Sequence, residues 1–131
     1  MRKLTLRPIR LTDLEYFLRW WNDPELRKLT SQTTDIVTPR TASRRVVEMI
    51  NPSGDLHRMI LRGGKPIGHI SLVRRQGRWY ELQIVIGEKR CWDKGFGSGA
   101  VQIMLAAARR SGWKKIYLEV LPPQPPRPSC V

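Results

Sequence analysis

Apolar and polar residues alternate from the start, Leu4 and Leu6 against Thr5 and Arg7, which predicts a first strand over Leu4–Arg7. The period then changes. Leu14, Phe17, Leu18 and Trp21 recur at intervals of three and four, the stripe of an amphipathic helix over residues 13–21. Thr12 and Glu15 have the spacing of a capping box at its start, and Asn22-Asp23-Pro24 breaks it. A short helical turn through Leu29 follows, and residues 30–38 read as loop. Thr38-Pro39 suits an N-cap and first helical position, opening a helix that ends near Asn51-Pro52-Ser53-Gly54.

The middle of the chain turns to strands. Leu56–Arg62, Ile67–Val73 and Trp79–Ile86 are separated by Gly63-Gly64 and by Arg75-Gln76-Gly77-Arg78, which predicts an antiparallel meander. Gly68, inside the second of these strands, marks a bulge or a close backbone approach. Gly95, Gly97 and Gly99 then lead into a helix over Val101–Ser111, ended by Gly112. Lys115–Leu121 is a further strand, and the strand–helix–strand crossover makes it parallel to the strand before it. The plan is a mixed α+β domain over residues 1–121 with a proline-rich tail at 122–131, polyproline-like or disordered.

Composition narrows the function. The 131 residues fit one domain, 40% hydrophobic and 27% charged, which excludes a low-hydrophobicity disordered chain. No apolar run is long enough to span a bilayer, and Met1–Arg7 lacks the apolar stretch of a secretory signal. Two cysteines, Cys91 and Cys130, make neither a disulfide framework nor a four-ligand metal site, which points to a reducing, cytoplasmic setting. His57 and His69 lie apart in sequence with no acidic or thiol companion at ligand spacing. The net charge of +13 comes from 24 basic residues spread along the chain without a basic block. Such a field attracts nucleic acid, an acidic surface or a phosphorylated ligand alike.

The glycine turn is the most informative site. Glycines let the backbone approach a ligand, and the start of the following helix offers unpaired N–H groups to an anion. Spacing alone leaves two readings open, a phosphate cradle or a flexible entry turn. Gly99 is followed by Ala100-Val101, so the turn is not a P-loop. The preceding elements are hairpin-linked, which speaks against a dinucleotide site.

Several ordered blocks together resemble the GNAT family of N-acetyltransferases. They are Leu6-Arg7-Pro8-Ile9-Arg10-Leu11-Thr12-Asp13-Leu14, Trp20-Trp21-Asn22-Asp23-Pro24-Glu25 and Gly64-Lys65-Pro66-Ile67-Gly68-His69-Ile70. The resemblance is strongest over Tyr80-Glu81-Leu82-Gln83-Ile84-Val85-Ile86-Gly87 and Trp92-Asp93-Lys94-Gly95-Phe96-Gly97-Ser98-Gly99-Ala100, and Gly112–Val120 closes it. Within the family it is similar to the branch that acetylates protein N-termini, notably ribosomal-protein alanines, and certain antibiotics.

The resemblance implies an acyl-CoA N-acyltransferase fold that binds acetyl-CoA. The backbone N–H groups of Lys94, Gly95, Phe96, Gly97, Ser98, Gly99 and Ala100 would wrap its pyrophosphate. Ile84, Val85 and Ile86 would splay from the parallel strand of Leu118–Val120, with pantetheine in the gap. The N–H of Val85 or Ile86 would polarise the thioester carbonyl, an oxyanion-type role. An amine, a protein N-terminus among the options, would attack directly in a ternary complex. Its nitrogen must lose a proton, and Glu81 is the leading candidate base, with an ion pair to Arg78 as its structural alternative. His69 is a weaker candidate. Cys91 reads as a loop residue packed beside Trp92, Trp21 as core, and Trp20 as a border of the acceptor channel.

The family pattern continues past this last strand with an Asn-containing turn, a helix whose Tyr protonates the departing thiolate, and further strands. Here Leu121-Pro122-Pro123-Gln124 follows instead. The expectation is an unfinished sheet edge at 115–121, covered by a second copy of the chain or by another subunit. Two other readings compete with catalysis: a degenerate CoA-binding or interaction module, and a basic nucleic-acid binder. The dispersal of the five tryptophans disfavours the latter, and no membrane association is expected.

Overall fold

Four neighbouring antiparallel strands and one parallel return strand build the frame of the computed structural model, which describes residues 3–30, 36–51, 54–76, 79–92, 94–110 and 116–118. The strands are β1 (Leu4–Pro8), β2 (Leu56–Arg62), β3 (Lys65–Arg75), β4 (Trp79–Ile86) and β5 (Ile116–Leu118), adjacent in that order. The first three pairings are antiparallel and β4–β5 is parallel, as the crossover requires. The described β4–β5 register runs from Tyr80↔Ile116 to Leu82↔Leu118. The proline-rich tail, Gly112 and the sheet edge beyond Leu118 lie outside the described residues.

Each sheet face buries a separate cluster. On one, helix α4 (Phe96–Arg110) sets Ala100, Met104 and Ala108 against Ile60, Ile70, Leu72 and Leu82. The four-residue spacing puts the three on one helix stripe, and the two alanines let the helix lie close to the strands. On the other face lie α1 (Leu14–Trp21), α2 (Pro24–Thr30) and α3 (Pro39–Ile50). There Phe17, Trp20, Leu26, Val46 and Met49 pack with Met59 and Trp92. Each such large side chain contributes about 1.5–3 kcal/mol by leaving water. Thr38 caps α3 as its sequence indicates, its hydroxyl accepting from the Thr41 N–H at 3.2 Å.

Three local features differ from the sequence reading. The chain enters α1 through a 3-10 turn (Leu11–Asp13), so Thr12 is not its cap. Asp13 stands at the cap position without a side-chain bond to the helix; its carboxylate accepts from the Arg10 N–H at 2.9 Å and from both Arg7 guanidinium nitrogens at 2.8 and 2.7 Å. Burial raises the Asp13 carboxyl, and these hydrogen bonds more than offset it, leaving it below its ordinary value.

The two tryptophans exchange roles. Trp20 is 4% exposed in the core, whereas Trp21 is half-buried, stacked on Phe17 and covered by the Arg45 guanidinium at 5.4 Å. Trp20 can lie inward because residue 87 is glycine. A Cβ there would stand 2.2 Å from the Trp20 ring.

Helix α4 also begins earlier than its apolar period suggests. It starts at Phe96, so Gly97 and Gly99 belong to its first turn rather than to a turn preceding it. Its first helical bond runs from the Gly99 N–H to the Gly95 carbonyl at 3.0 Å. Glycine's low helix propensity hides the turn from a sequence reading, and packing over β1 and β4 overrides it.

Candidate active site

The first turn of α4 and the last turn of β4 meet at one end of the sheet. Gly95 holds φ at +80°, a left-handed conformation that side chains with a Cβ adopt at a cost, with open space around it. This lets the chain turn abruptly into α4 and leaves the N–H groups of Phe96, Gly97 and Ser98 without an acceptor inside the helix. The helix dipole places a partial positive charge at the same point. Lys94, Gly95 and Ser98 are exposed, Phe96, Gly97 and Gly99 half-exposed, and Ala100 buried. The Arg62 guanidinium lies 4.9 Å from the centre of the Phe96 ring. Backbone donors, an open approach and positive charge together fit a phosphate-bearing ligand. A Cβ at Gly97 would sit 3.9 Å from Ile84 Cδ1, so the helix start and the end of β4 are neighbours.

At that end of β4 the backbone directions follow from its bonds. The Gly87 N–H donates to the Ile67 carbonyl at 2.7 Å, turning residue 87 toward β3. The Val85 carbonyl also faces β3, since a Cβ at Gly68 would meet it at 2.3 Å. Amide directions alternate along a strand, so Ile84 and Ile86 turn toward the β5 side. The Ile86 carbonyl is engaged there by the Trp92 indole N–H at 2.7 Å. Its N–H therefore faces the β5 side as well.

Trp92 is buried in the cluster on the α1–α3 face, with Phe17 and Trp20, and not in the α4 cluster that follows the glycines. Cys91, buried next to it, is disulfide-bonded with its partner outside the described residues. That corrects the reading of a packed thiol. Among the described residues no cluster of three or more metal-ligating side chains forms. No helix among them is long and apolar enough to cross a membrane.

The face covered by α1 and α3 carries the polar chemistry. Glu81 is 9% exposed and ion-paired with Arg75, whose Nε donates at 2.8 Å; the expected partner Arg78 lies outside the described residues. Arg75 stands opposite Trp79, so this pair points along the sheet away from Val85. Ser71 is buried opposite Gln83.

His57 and His69 come together although they are distant in sequence. His57 Nδ1 and His69 Nε2 are 3.1 Å apart, and His57 Nε2 lies 4.0 Å from an Asp55 oxygen. His69 is the cross-strand partner of Val85, with the Phe17 ring edge-on at 5.3 Å. Burial drives His69 down to about 3, with a smaller push from His57. His57 is lowered by burial, opposed by Asp55 and aided by Arg58.

Comparison with known proteins follows the same lines. The acetyltransferase (GNAT) domain family matches residues 3–126. No curated protein matches the sequence. Among solved structures, a domain from Methanocaldococcus jannaschii superposes with a TM-score of 0.77 at 20% identity, covering 90% of this chain and 77% of the other. Spermidine N-acetyltransferase from Vibrio cholerae, crystallised with CoA and spermine, gives 0.75 at 21% identity over 88% and 69% of the two chains. The microcin C7 self-immunity acetyltransferase, crystallised with acetyl-CoA and AMP, gives 0.73 at 16% identity over 88% and 68%. These similarities show a shared fold.

Proposed function

Since this chain belongs to the GNAT family of acetyltransferases, we propose that it moves the acetyl group of acetyl-CoA onto a primary amine, with a protein N-terminus as the acceptor. The observation that carries the cofactor site is the start of α4. There Gly95 at φ +80° opens the backbone and the Phe96, Gly97 and Ser98 amides are left for a pyrophosphate. Lys94 adds an exposed charge, and the first-turn positions Gly99 and Ala100 keep the helix close to the sheet.

Bound acetyl-CoA supplies an activated acyl thioester. The chain's own part is to hold it along Ile84, Val85 and Ile86, and the Ile86 N–H, facing the β5 side, is the donor for the thioester oxygen. Such a donor is worth about 3 kcal/mol where it has been removed from oxyanion sites. Glu81, ion-paired with Arg75, lies about 13 Å along β4 from Val85. From there it would reach the amine only through bridging water.

Charge supports the acceptor class. Among the described residues, Asp13 is paired with Arg7, Asp23 and Glu25 with Lys89, Glu81 with Arg75 and Glu88 with Arg19. Arg40, Arg44 and Arg45 stand exposed on α3. With a net charge of +13, this surface repels a polycation and favours an amine carried on a neutral or acidic molecule.

Calorimetry with CoA tests the cofactor site: saturable binding is expected, and its absence at millimolar CoA sinks the reading. Thiol release from acetyl-CoA is expected to be faster with an acidic peptide beginning with Ala than with spermine. The reverse order refutes the acceptor class.

A further inference from the structure

The paired histidines lie on the face where the acceptor amine would approach, and an ion pair with Arg75 turns Glu81 away from that point. His69 is far nearer to it than Glu81. As the cross-strand partner of Val85 its Cα is about 5.5 Å away, against about 13 Å along the strand for Glu81. Its Nε2 is engaged with His57 Nδ1, whereas its Nδ1 has no hydrogen-bond partner among the described residues. The far nitrogen of His57 faces Asp55, whose side chain is 31% exposed. The three groups form a line from the sheet face to solvent.

We propose that His69 accepts the proton of the attacking amine and passes it through His57 to solvent beside Asp55. This rests on the acetyl-transfer reading above. As the nitrogen forms its bond to the acetyl carbon, the carbon–sulfur bond breaks with its electron pair going to sulfur. One N–H proton passes to His69 Nδ1, the proton on Nε2 moves to His57 Nδ1, and the proton on His57 Nε2 leaves toward Asp55 and water. Sulfur takes a proton from water, so the charges balance, and the two imidazoles, left as Nδ1–H tautomers, return to Nε2–H when a proton passes back from water at Asp55 to water at the emptied site. The chain requires His69 as the Nε2–H tautomer.

The surroundings suit transfer rather than storage of a proton. Phe17 from α1 and Val85 from β4 bring no charge to His69, and from β2 and the segment before it the charged groups are Arg58 and Asp55. Burial opposes a lasting cation on His69. The carboxylate of Asp55 favours one at the outer end.

His57→Gln tests the relay, because the amide can still hydrogen-bond His69 but conducts no proton. With acetyl-CoA and an acidic Ala-initiated peptide, kcat is expected to fall at least about tenfold while KM for acetyl-CoA stays unchanged. His69→Gln is expected to cost about a hundredfold. Both variants should bend the pH profile of kcat. If they leave that profile untouched while Glu81→Gln abolishes it, the relay is wrong.

Nitrogen-15 NMR of the imidazoles in the unmutated protein with CoA requires neither turnover nor a variant. A neutral His69 carrying its proton on Nε2 between pH 6 and 8 is expected. A proton on Nδ1 overturns the proposal, since that atom would have no lone pair to receive another. Failure of CoA to bind in calorimetry would instead refute the acetyl-transfer reading.

Discussion

Replacing Gly87 by alanine places a Cβ 2.2 Å from Trp20 Cδ2, 2.3 Å from Cε2 and 2.5 Å from Cγ. These are atoms of a rigid ring that is 4% exposed, not the far end of a flexible chain. The ring is held on several sides. Phe17 meets it edge-on at 5.8 Å, Tyr16 lies at the same distance, and its N–H donates to Glu88 at 2.8 Å. Either the backbone after β4 shifts, at the overpacking cost of about 1–3 kcal/mol, or Trp20 moves. Moving it also forfeits a hydrogen bond to a carboxylate, worth about 1.5–3 kcal/mol. The loss is about 1–3 kcal/mol if the backbone yields and about 2.5–6 kcal/mol if the ring moves, at least about 4 °C in Tm for a chain of this length. Thermal unfolding followed by circular dichroism measures it. The double variant Gly87→Ala with Trp20→Leu separates the cause, because the smaller side chain makes room. The two changes should be non-additive by at least about 1 kcal/mol. A Gly87→Ala protein melting within about 2 °C of the parent would refute the reasoning.

Gly95→Ala forces a left-handed conformation on a residue with a Cβ, at about 1–2 kcal/mol, and nothing else crowds the site. CoA affinity should fall about fivefold or more in calorimetry, with Gly95→Asn milder because asparagine tolerates that conformation. Asp13→Asn strands the Arg7 guanidinium and should cost about 3–5 kcal/mol in urea unfolding at pH 7. Because the Asp13 carboxyl is depressed in the folded state, its stabilisation is present above the ordinary value of 3.8 and fades as pH falls through its lower folded value. The acid limb of the stability curve should therefore be flatter in the variant. His69 works in the same direction for a different reason. It is neutral when folded down to about 3, while the unfolded chain takes a proton below 6.5. Stability should drop by about 1–2 kcal/mol between pH 7 and pH 5, and His69→Gln should remove most of that slope.

Much of the frame was legible along the chain. Strong alternation bounded by glycine turns placed β2 and β4 with their observed limits, and Thr38-Pro39 announced the start of α3. The turn into α4 was marked by Gly95, Gly97 and Gly99, although their spacing alone left a phosphate cradle and a flexible entry turn both open. Local preference was less informative where packing decides. The choice between Trp20 and Trp21 turned on a missing side chain at residue 87, distant in sequence. The helical state of Gly97 and Gly99 followed from contact with β1 and β4 against their propensity. Glu81 was visible as a carboxylate on a central strand, but its commitment to Arg75 was set by the β3–β4 register.

The pairing of His57 with His69 marks the boundary between the two kinds of information. The sequence determined that two histidines lie on strands joined by a Gly63-Gly64 hairpin. It also marked Gly68 as a point of irregularity. Only the tertiary structure decided which side each histidine faces. At the turn the register is Arg62↔Lys65 and Leu61↔Pro66, but beyond the shift it is Ile60↔Gly68 and His57↔Ser71. One extra residue, Ile67, is taken up on β3 there, and its carbonyl is held by the Gly87 and Glu88 amides across the sheet. Were Ile67 paired rather than bulged, the register of the turn would set His57 opposite Ile70 and put the two rings on opposite faces, because side chains alternate with a period of two and a one-residue slip inverts them. The residue types are local facts, and their meeting is a consequence of one bulge fixed by a neighbouring strand.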